Sequence, residues 1–152
     1  MPNKYLTKLF AICLMVTAGV TSCTIGAGTL GSFEDRKFQV SIEEMLVAMN
    51  SLESHKIPEK WKPTAASIEG TYGFFENTNF YLKGSPEEMY FVSYQGNSRV
   101  TVMSIRSVFK NGKWFIENDL AEDERERIEN RFDREIIAKL EKLTNSKATR
   151  DE

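Results

Sequence analysis

The stretch from Ser67 to Glu117 constrains the fold most, because aromatic and β-branched residues dominate it and turn signals recur at short intervals. Asn111-Gly112 is the strongest of these signals, since both residues tolerate positive φ and suit a two-residue hairpin turn. Arg99 to Lys110 and Lys113 to Glu117 are then the arms of a hairpin. Gln95-Gly96-Asn97-Ser98 turns that pair back onto Glu88 to Gln95, and Gly84-Ser85-Pro86 turns again onto Phe80 to Lys83. Asn77-Thr78-Asn79 reads as one more turn, preceded by a strand from Ser67 to Glu76 that Gly70 and Gly73 break up. The expectation is an antiparallel meander of four strands, or five if Phe80 to Lys83 stands alone.

Helical patterns flank this region. Ser41-Ile42-Glu43-Glu44 is a capping box, and Ile42, Met45, Leu46, Met49 and Leu52 follow at the spacing of one helical face, so a helix is expected to end near Ser54 or Lys56. Before it, Lys37-Phe38-Gln39-Val40 is either a short edge strand or a lead-in. A second, long helix is expected from Asp119, with Asp119-Leu120-Ala121-Glu122 as its cap and Ile128, Phe132, Ile136, Leu140 and Leu143 as its apolar stripe. Asp123 with Arg127, and Glu135 with Lys139, are spaced as ion pairs on its wet side. The fold class is therefore α+β: an N-terminal helix, an antiparallel meander, and a long C-terminal helix packed on one sheet face. The domain is expected over residues 34–145, with residues 146–152 a disordered tail. This element order resembles cystatin-like and NTF2-like sheets that wrap a helix, a likeness of layout that carries no function by itself.

Several chemistries are absent from the pattern. The net charge of −2 argues against nucleic acid, whose phosphates need a basic patch. There are two cysteines, Cys13 and Cys23, and no paired-cysteine metal or redox motif. The one histidine, His55, stands near a helix end, where the negative pole of the helix dipole explains it. No nucleophile elbow, phosphate loop, HExxH or calcium-loop motif occurs, so no catalytic residue, metal ligand or cofactor is assigned. The acids Glu122, Asp123, Glu124, Glu126 and Glu129, interleaved with Arg125, Arg127 and Arg131, fit a solvated helix face paired with itself.

Aromatic residues supply the candidate binding positions. Trp61, in the proline-bearing connector IPEKWKPT, either binds a partner or folds back over the core. Strand alternation sends Tyr90 and Tyr94 to one face and Met89 and Phe91 to the other, so one face makes core. The opposite face either offers a tyrosine-rich patch to a partner or is closed off by sheet curvature.

The first 23 residues carry an address. Lys4 and Lys8 precede the apolar run Leu9 to Val16, and Val20-Thr21-Ser22-Cys23 ends it, an order suited to export. That last tetrapeptide resembles the lipobox of bacterial lipoproteins. The resemblance covers only the leader, and it implies cleavage between Ser22 and Cys23 with lipid on the Cys23 sulfur. An uncleaved membrane span over residues 9–31 is the competing reading, but Thr21, Ser22, Thr24, Gly26 and Gly28 spoil its second half. Two or three acyl chains would anchor a soluble domain stably where one would not. The expected organisation is a signal peptide at residues 1–22, then a lipidated, glycine-rich tether at residues 23–33. Thr24 after the cysteine, rather than an aspartate, points by the same resemblance to the outer membrane, facing the periplasm. The expected function is a membrane-anchored, non-enzymatic lipoprotein whose domain binds another envelope component, a protein or a glycan. The alternative is a pocket protein that takes a small hydrophobic ligand or carries a minimal acid-base site with His55 or a buried glutamate.

Overall fold

The computed structural model describes residues 33–68 and 75–150, which build one antiparallel sheet with its longer helices on one face. The strands are β1 (Arg36–Phe38), β2 (Glu76–Leu82), β3 (Glu88–Gly96), β4 (Thr101–Lys110), β5 (Lys113–Phe115) and β6 (Thr149–Arg150). The helices are α1 (Ile42–Ser51), α2 (Lys62–Ala66), α3 (Glu122–Phe132) and α4 (Ala138–Thr144), with a π-helical turn at Asp133–Ile137 joining the last two. The fold is α+β, and its sheet runs β2-β3-β4-β1-β6 with β5 also on β4. β1 and β5 share one edge of β4: Arg36 lies opposite Met103, while Trp114 lies opposite Phe109.

The expected turn at Asn111-Gly112 forms, with φ of 51° and 82° at the two residues. Ser41 caps α1 by accepting from the Glu44 amide. Asn77-Thr78-Asn79 is not a turn but lies inside β2, paired residue for residue with Ser93, Val92 and Phe91. Local turn propensity loses there because the period-two pattern buries Phe80 and Leu82 under the helices. The strand expected from Ser67 is not formed at its start, where Ser67 ends α2; residues 69–74 lie outside the described residues. Lys37 and Phe38 belong to strand β1, which pairs with β4 on one side and β6 on the other, so the fragment is a strand but an inner one and not an edge.

The segment expected to fray after residue 145 is instead ordered through Arg150. Thr149 pairs with Lys37, and the Arg150 guanidinium bridges Asp133 and Glu34, so two charges and a strand register hold the tail against β1. Asp119 is likewise not the cap of the last helix. Its carboxylate accepts from the Ile116 amide within a 3-10 turn, and α3 starts after Ala121 with three acids in its first turn.

Face one of the sheet meets the helices through Phe80, Leu82, Tyr90, Val92, Met103, Ile105 and Val108, all buried. Phe132 stacks on Tyr90 at 5.9 Å and meets Phe80 edge-on at 6.4 Å. The four-residue spacing of Ile128, Phe132, Ile136 and Leu140 would carry an α-helical stripe about 120° round the rod. The π turn takes up one extra residue and returns Leu140 to within about 20° of Ile128, and both are fully buried. Leu143, the last member of the expected stripe, stays half exposed.

Two buried charge clusters join sheet to helix. Arg36, 2 % exposed, gives Asp133 a two-pronged contact at 2.7 and 3.2 Å. Glu88, with no exposed surface, accepts from Arg131, Arg127 and the Tyr90 hydroxyl. The arginines of α3 thus do more than pair along a wet helix. Arg127 bonds Glu124 and Glu88 rather than Asp123, and Glu135 takes Arg131 rather than Lys139. Desolvating Glu88 is tolerated because two guanidinium groups face it.

Candidate functional site

Face two of the sheet is covered by the connector that follows α1. A 3-10 turn at Glu53–His55 lies beside β2, and the chain then passes the β2 edge to a second 3-10 turn at Glu59–Trp61 and to α2. Pro63 sits in the first turn of α2, where its missing N–H is one the helix would leave unbonded anyway. The connector therefore spans the outer edge of β2, the side away from β3, and leaves a cleft of about 440 Å³.

Three pieces of chain line that cleft. The connector gives His55 and Ile57, α2 gives Lys62, Ala65 and Ala66, and the sheet gives Asn77, Thr78, Asn79 and Phe91. His55 Nε2 and Thr78 Oγ1 are 2.7 Å apart, and the imidazole lies against Phe80 at 5.7 Å. Burial lowers the His55 pKa below its ordinary value, because the charged ring loses water. Lys62 is turned to Glu59, at 2.5 Å. No carboxylate lines the cleft among the described residues.

The unusual feature is the pair of amides. Asn77 and Asn79 alternate with Thr78 along β2 and so project from face two together. Asn77 Nδ2 donates to the Phe75 carbonyl at 2.9 Å, which fixes the amide and leaves Oδ1 as a free acceptor. Asn77 Oδ1 and Asn79 Oδ1 are both buried atoms with no hydrogen-bond partner among the described residues. Asn79 itself is only 8 % exposed. A buried acceptor without a donor costs about 1–3 kcal/mol, so each of the two oxygens lowers stability where it stands.

The sequence-expected residues lie elsewhere. Tyr90 is fully buried and Tyr94 is 8 % exposed, both in the layer between sheet and helices, so they form no surface patch. Their parity along β3 matches that of Val92, so both side chains face α3. Burial raises the Tyr94 pKa to about 12, with the Glu76 carboxylate across the strand pair adding to it. Trp61 folds back onto face two, 5.3 Å from Phe109 and 6.0 Å from Tyr81, with Lys60 over its ring. It is half-buried packing and not a free anchor. Trp114 meets Phe91 and Phe109 edge-on and donates to Ser67 Oγ at 3.3 Å, so this side too is closed by rings. Cys23 lies outside the described residues.

Sequence reasoning missed Asn77 and Asn79 because two asparagines flanking a threonine look like a turn. The signal available was the alternation itself: Thr78, Phe80 and Leu82 on one face, Asn77, Asn79 and Tyr81 on the other. Among the described residues no group of His, Cys, Asp or Glu gathers to hold a metal, and no helix is long and apolar enough to cross a membrane. No protein-family model, curated protein or solved structure matches the chain.

Proposed function

We propose that this chain is a lipid-anchored envelope lipoprotein, tethered through Cys23 to the outer membrane and facing the periplasm, whose domain is a non-enzymatic binding module. The order of charge, apolar run, small residues and cysteine at the N-terminus supports the anchor. The observation that carries the binding role is the cleft of about 440 Å³ beside β2, lined by His55, Lys62, Asn77, Thr78, Asn79 and Phe91. A concave site with a few polar groups among apolar ones is the usual form of a small-molecule site.

An acid-base reading of the same cleft has less support. His55 faces a threonine hydroxyl and not a carboxylate, so among the described residues none in the cleft orients it as a general base. A hydrophobic ligand has less support too, because the aromatic rings on both sheet faces pack on one another and on the helices.

Two measurements test the proposal in cells. Metabolic labelling with a palmitate analogue should mark the chain and fail on Cys23→Ala; label that persists in that variant removes the anchor. A photo-crosslinking amino acid at Lys62, on the rim of the cleft, should capture an envelope component that the same probe at Val47 does not, Val47 being exposed on the far side of α1 from the core. Equal capture from both positions removes the cleft as the binding site.

A further inference from the structure

The last strand of the sheet sits on the domain as a peptide ligand would. β6 is two residues long, exposed and outermost in the sheet, with Thr149 and Arg150 opposite Lys37 and Arg36 of β1. α4 stops before it at Asn145, whose left-handed φ of 50° breaks the helix. The next contacts come residue by residue. Lys147 pairs with Glu141 at 2.7 Å, and the Ala148 amide donates to the same carboxylate at 3.0 Å. The Thr149 hydroxyl donates to the Lys37 carbonyl at 3.4 Å, and Arg150 bridges Glu34, at 2.9 Å, and Asp133. Main chain on a strand edge with side chains in separate subsites is how an extended peptide adds itself to a sheet.

The groove beneath this tail is acidic. Its carboxylates come from the start of β1 (Glu34), from α3 (Glu129), from the π turn (Asp133) and from α4 (Glu141). Outside the tail, the only cation in ion-pair contact with any of them among the described residues is Arg36, which meets Glu34, Glu129 and Asp133 at 3.8, 3.7 and 2.7 Å. Without Lys147 and Arg150, four carboxylates would share one guanidinium, so the groove favours a cationic occupant.

The tail fills this groove incompletely. Lys147 is 86 % exposed and Arg150 43 %, and exposed ion pairs contribute little. Ala148 leaves a hollow of about 210 Å³ beside it, with Ile137 and Ala138 in the wall. A larger apolar side chain in that position would bury surface that alanine does not reach.

We propose that the groove between β1 and α4 is a peptide-binding site, held in cis by residues 147–150, whose partner in trans is an extended cationic segment. That segment carries a basic residue, then a branched apolar residue, and an arginine two places further on, in the register of Lys147, Ala148 and Arg150. The tail competes with it, so the groove is open only in the fraction of molecules whose tail has left. This site lies at the edge of the sheet opposite to β2 and goes beyond the cleft reading, which neither depends on it nor supports it.

The test uses the full chain in detergent and a fluorescein-labelled peptide containing Lys-Leu-Thr-Arg, with Glu-Leu-Thr-Glu as the control. Fluorescence anisotropy gives the affinity of the parent and of Lys147→Ala with Arg150→Ala, which keeps the chain at full length while loosening the tail. The basic peptide should bind saturably, at least tenfold tighter to the double variant than to the parent and at least tenfold tighter than the control peptide. Adding Glu141→Gln to the double variant should weaken it fivefold or more. Where the double variant melts below the parent, Arg150→Ala alone serves for the same comparison. In the ¹⁵N-labelled parent, excess basic peptide should move the amide resonances of Thr149 and Arg150 as the tail is displaced. Equal affinity for parent and variant, equal affinity for the two peptides, or no binding to either protein would overturn the proposal. So would a parent that light scattering finds dimeric and the double variant monomeric, because a second copy's tail would then be the occupant.

Discussion

Arg131 donates to Glu88 across 2.8 Å with both side chains inside the protein, Glu88 fully buried and Arg131 8 % exposed. The same guanidinium reaches the carbonyls of Pro86 and Lys83, at 2.6 and 3.3 Å, so one side chain of α3 fixes both a strand carboxylate and the turn between β2 and β3. Removing the carboxylate leaves a buried cation short of its partner. Glu88→Ala is expected to cost about 3–5 kcal/mol in urea unfolding, while Glu88→Leu with Arg131→Leu should recover a large part of that loss. A single variant within about 1 kcal/mol of the parent would show that the pair contributes little.

The balance between Arg36 and Arg150 makes a second prediction. Both bind Asp133, but Arg36 is 2 % exposed and has the Glu34 carbonyl as well, at 2.7 Å, whereas the Arg150 side chain is 43 % exposed. Arg36→Ala should therefore destabilise by about 3 kcal/mol or more, as expected when a buried ionic partner is removed. Arg150→Ala should stay within about 1 kcal/mol, as exposed ion pairs do. Chemical denaturation of the two variants checks the contrast, and comparable losses would contradict it.

These charge clusters also show where the chain was legible and where it was not. The meander, the Ser41 cap and the Asn111-Gly112 turn follow from local rules, because periodicity and positive φ act over a few residues. The Glu88 and Arg36 clusters join residues 43 and 97 positions apart in the chain, and no local pattern marks an arginine as one that turns inward. The same holds for the tail: Thr149 and Arg150 look polar and uncapped, and their order comes from β1, more than a hundred residues away. The cleft was hidden for another reason. Asn77 and Asn79 have strong local turn preferences that pairing with β3 overrides, so a local rule pointed the wrong way.

Two glycines separate conformational cost from steric cost. Gly112 has a φ of 82° with nothing within 4 Å of where a Cβ would stand, so Gly112→Ala carries only the left-handed backbone penalty, roughly 1–2 kcal/mol. At Gly96 an added Cβ would lie 2.7 Å from the Val100 carbonyl oxygen and 2.9 Å from Thr101 Oγ1. The Val100 carbonyl already holds the Asn97 amide at 2.9 Å and cannot easily withdraw. Gly96→Ala should cost about 1–3 kcal/mol through overpacking and should loosen the β3–β4 turn, seen as faster amide exchange at Asn97. Unchanged exchange there would mean that the turn absorbs the methyl group.

His55 sets a pH dependence whose sign follows from its burial. Its folded pKa lies below the ordinary 6.5, so the unfolded chain binds more protons once the pH drops under that value. The stability associated with neutral His55 is complete above about pH 6.5 and falls as the pH moves down toward the folded pKa. The carboxylates held below their ordinary range act later. Glu124, lowered to about 2 by its bond from Arg127 and by Lys110, and Glu87, lowered by the Tyr81 hydroxyl and Lys60, lose their contribution only below about pH 4.5. Burial raises the Glu129 carboxyl above its ordinary range, and that group loses its contribution as the pH rises, opposite in sign to His55, so the difference between parent and a His55 variant in a melting series from pH 7.5 to 5.5 isolates the histidine. His55→Gln keeps a group able to bond Thr78 but cannot titrate, so its melting temperature should be nearly flat over that interval while the parent's declines. Parallel curves for the two proteins would show that His55 takes up its proton in the folded cleft as readily as in water.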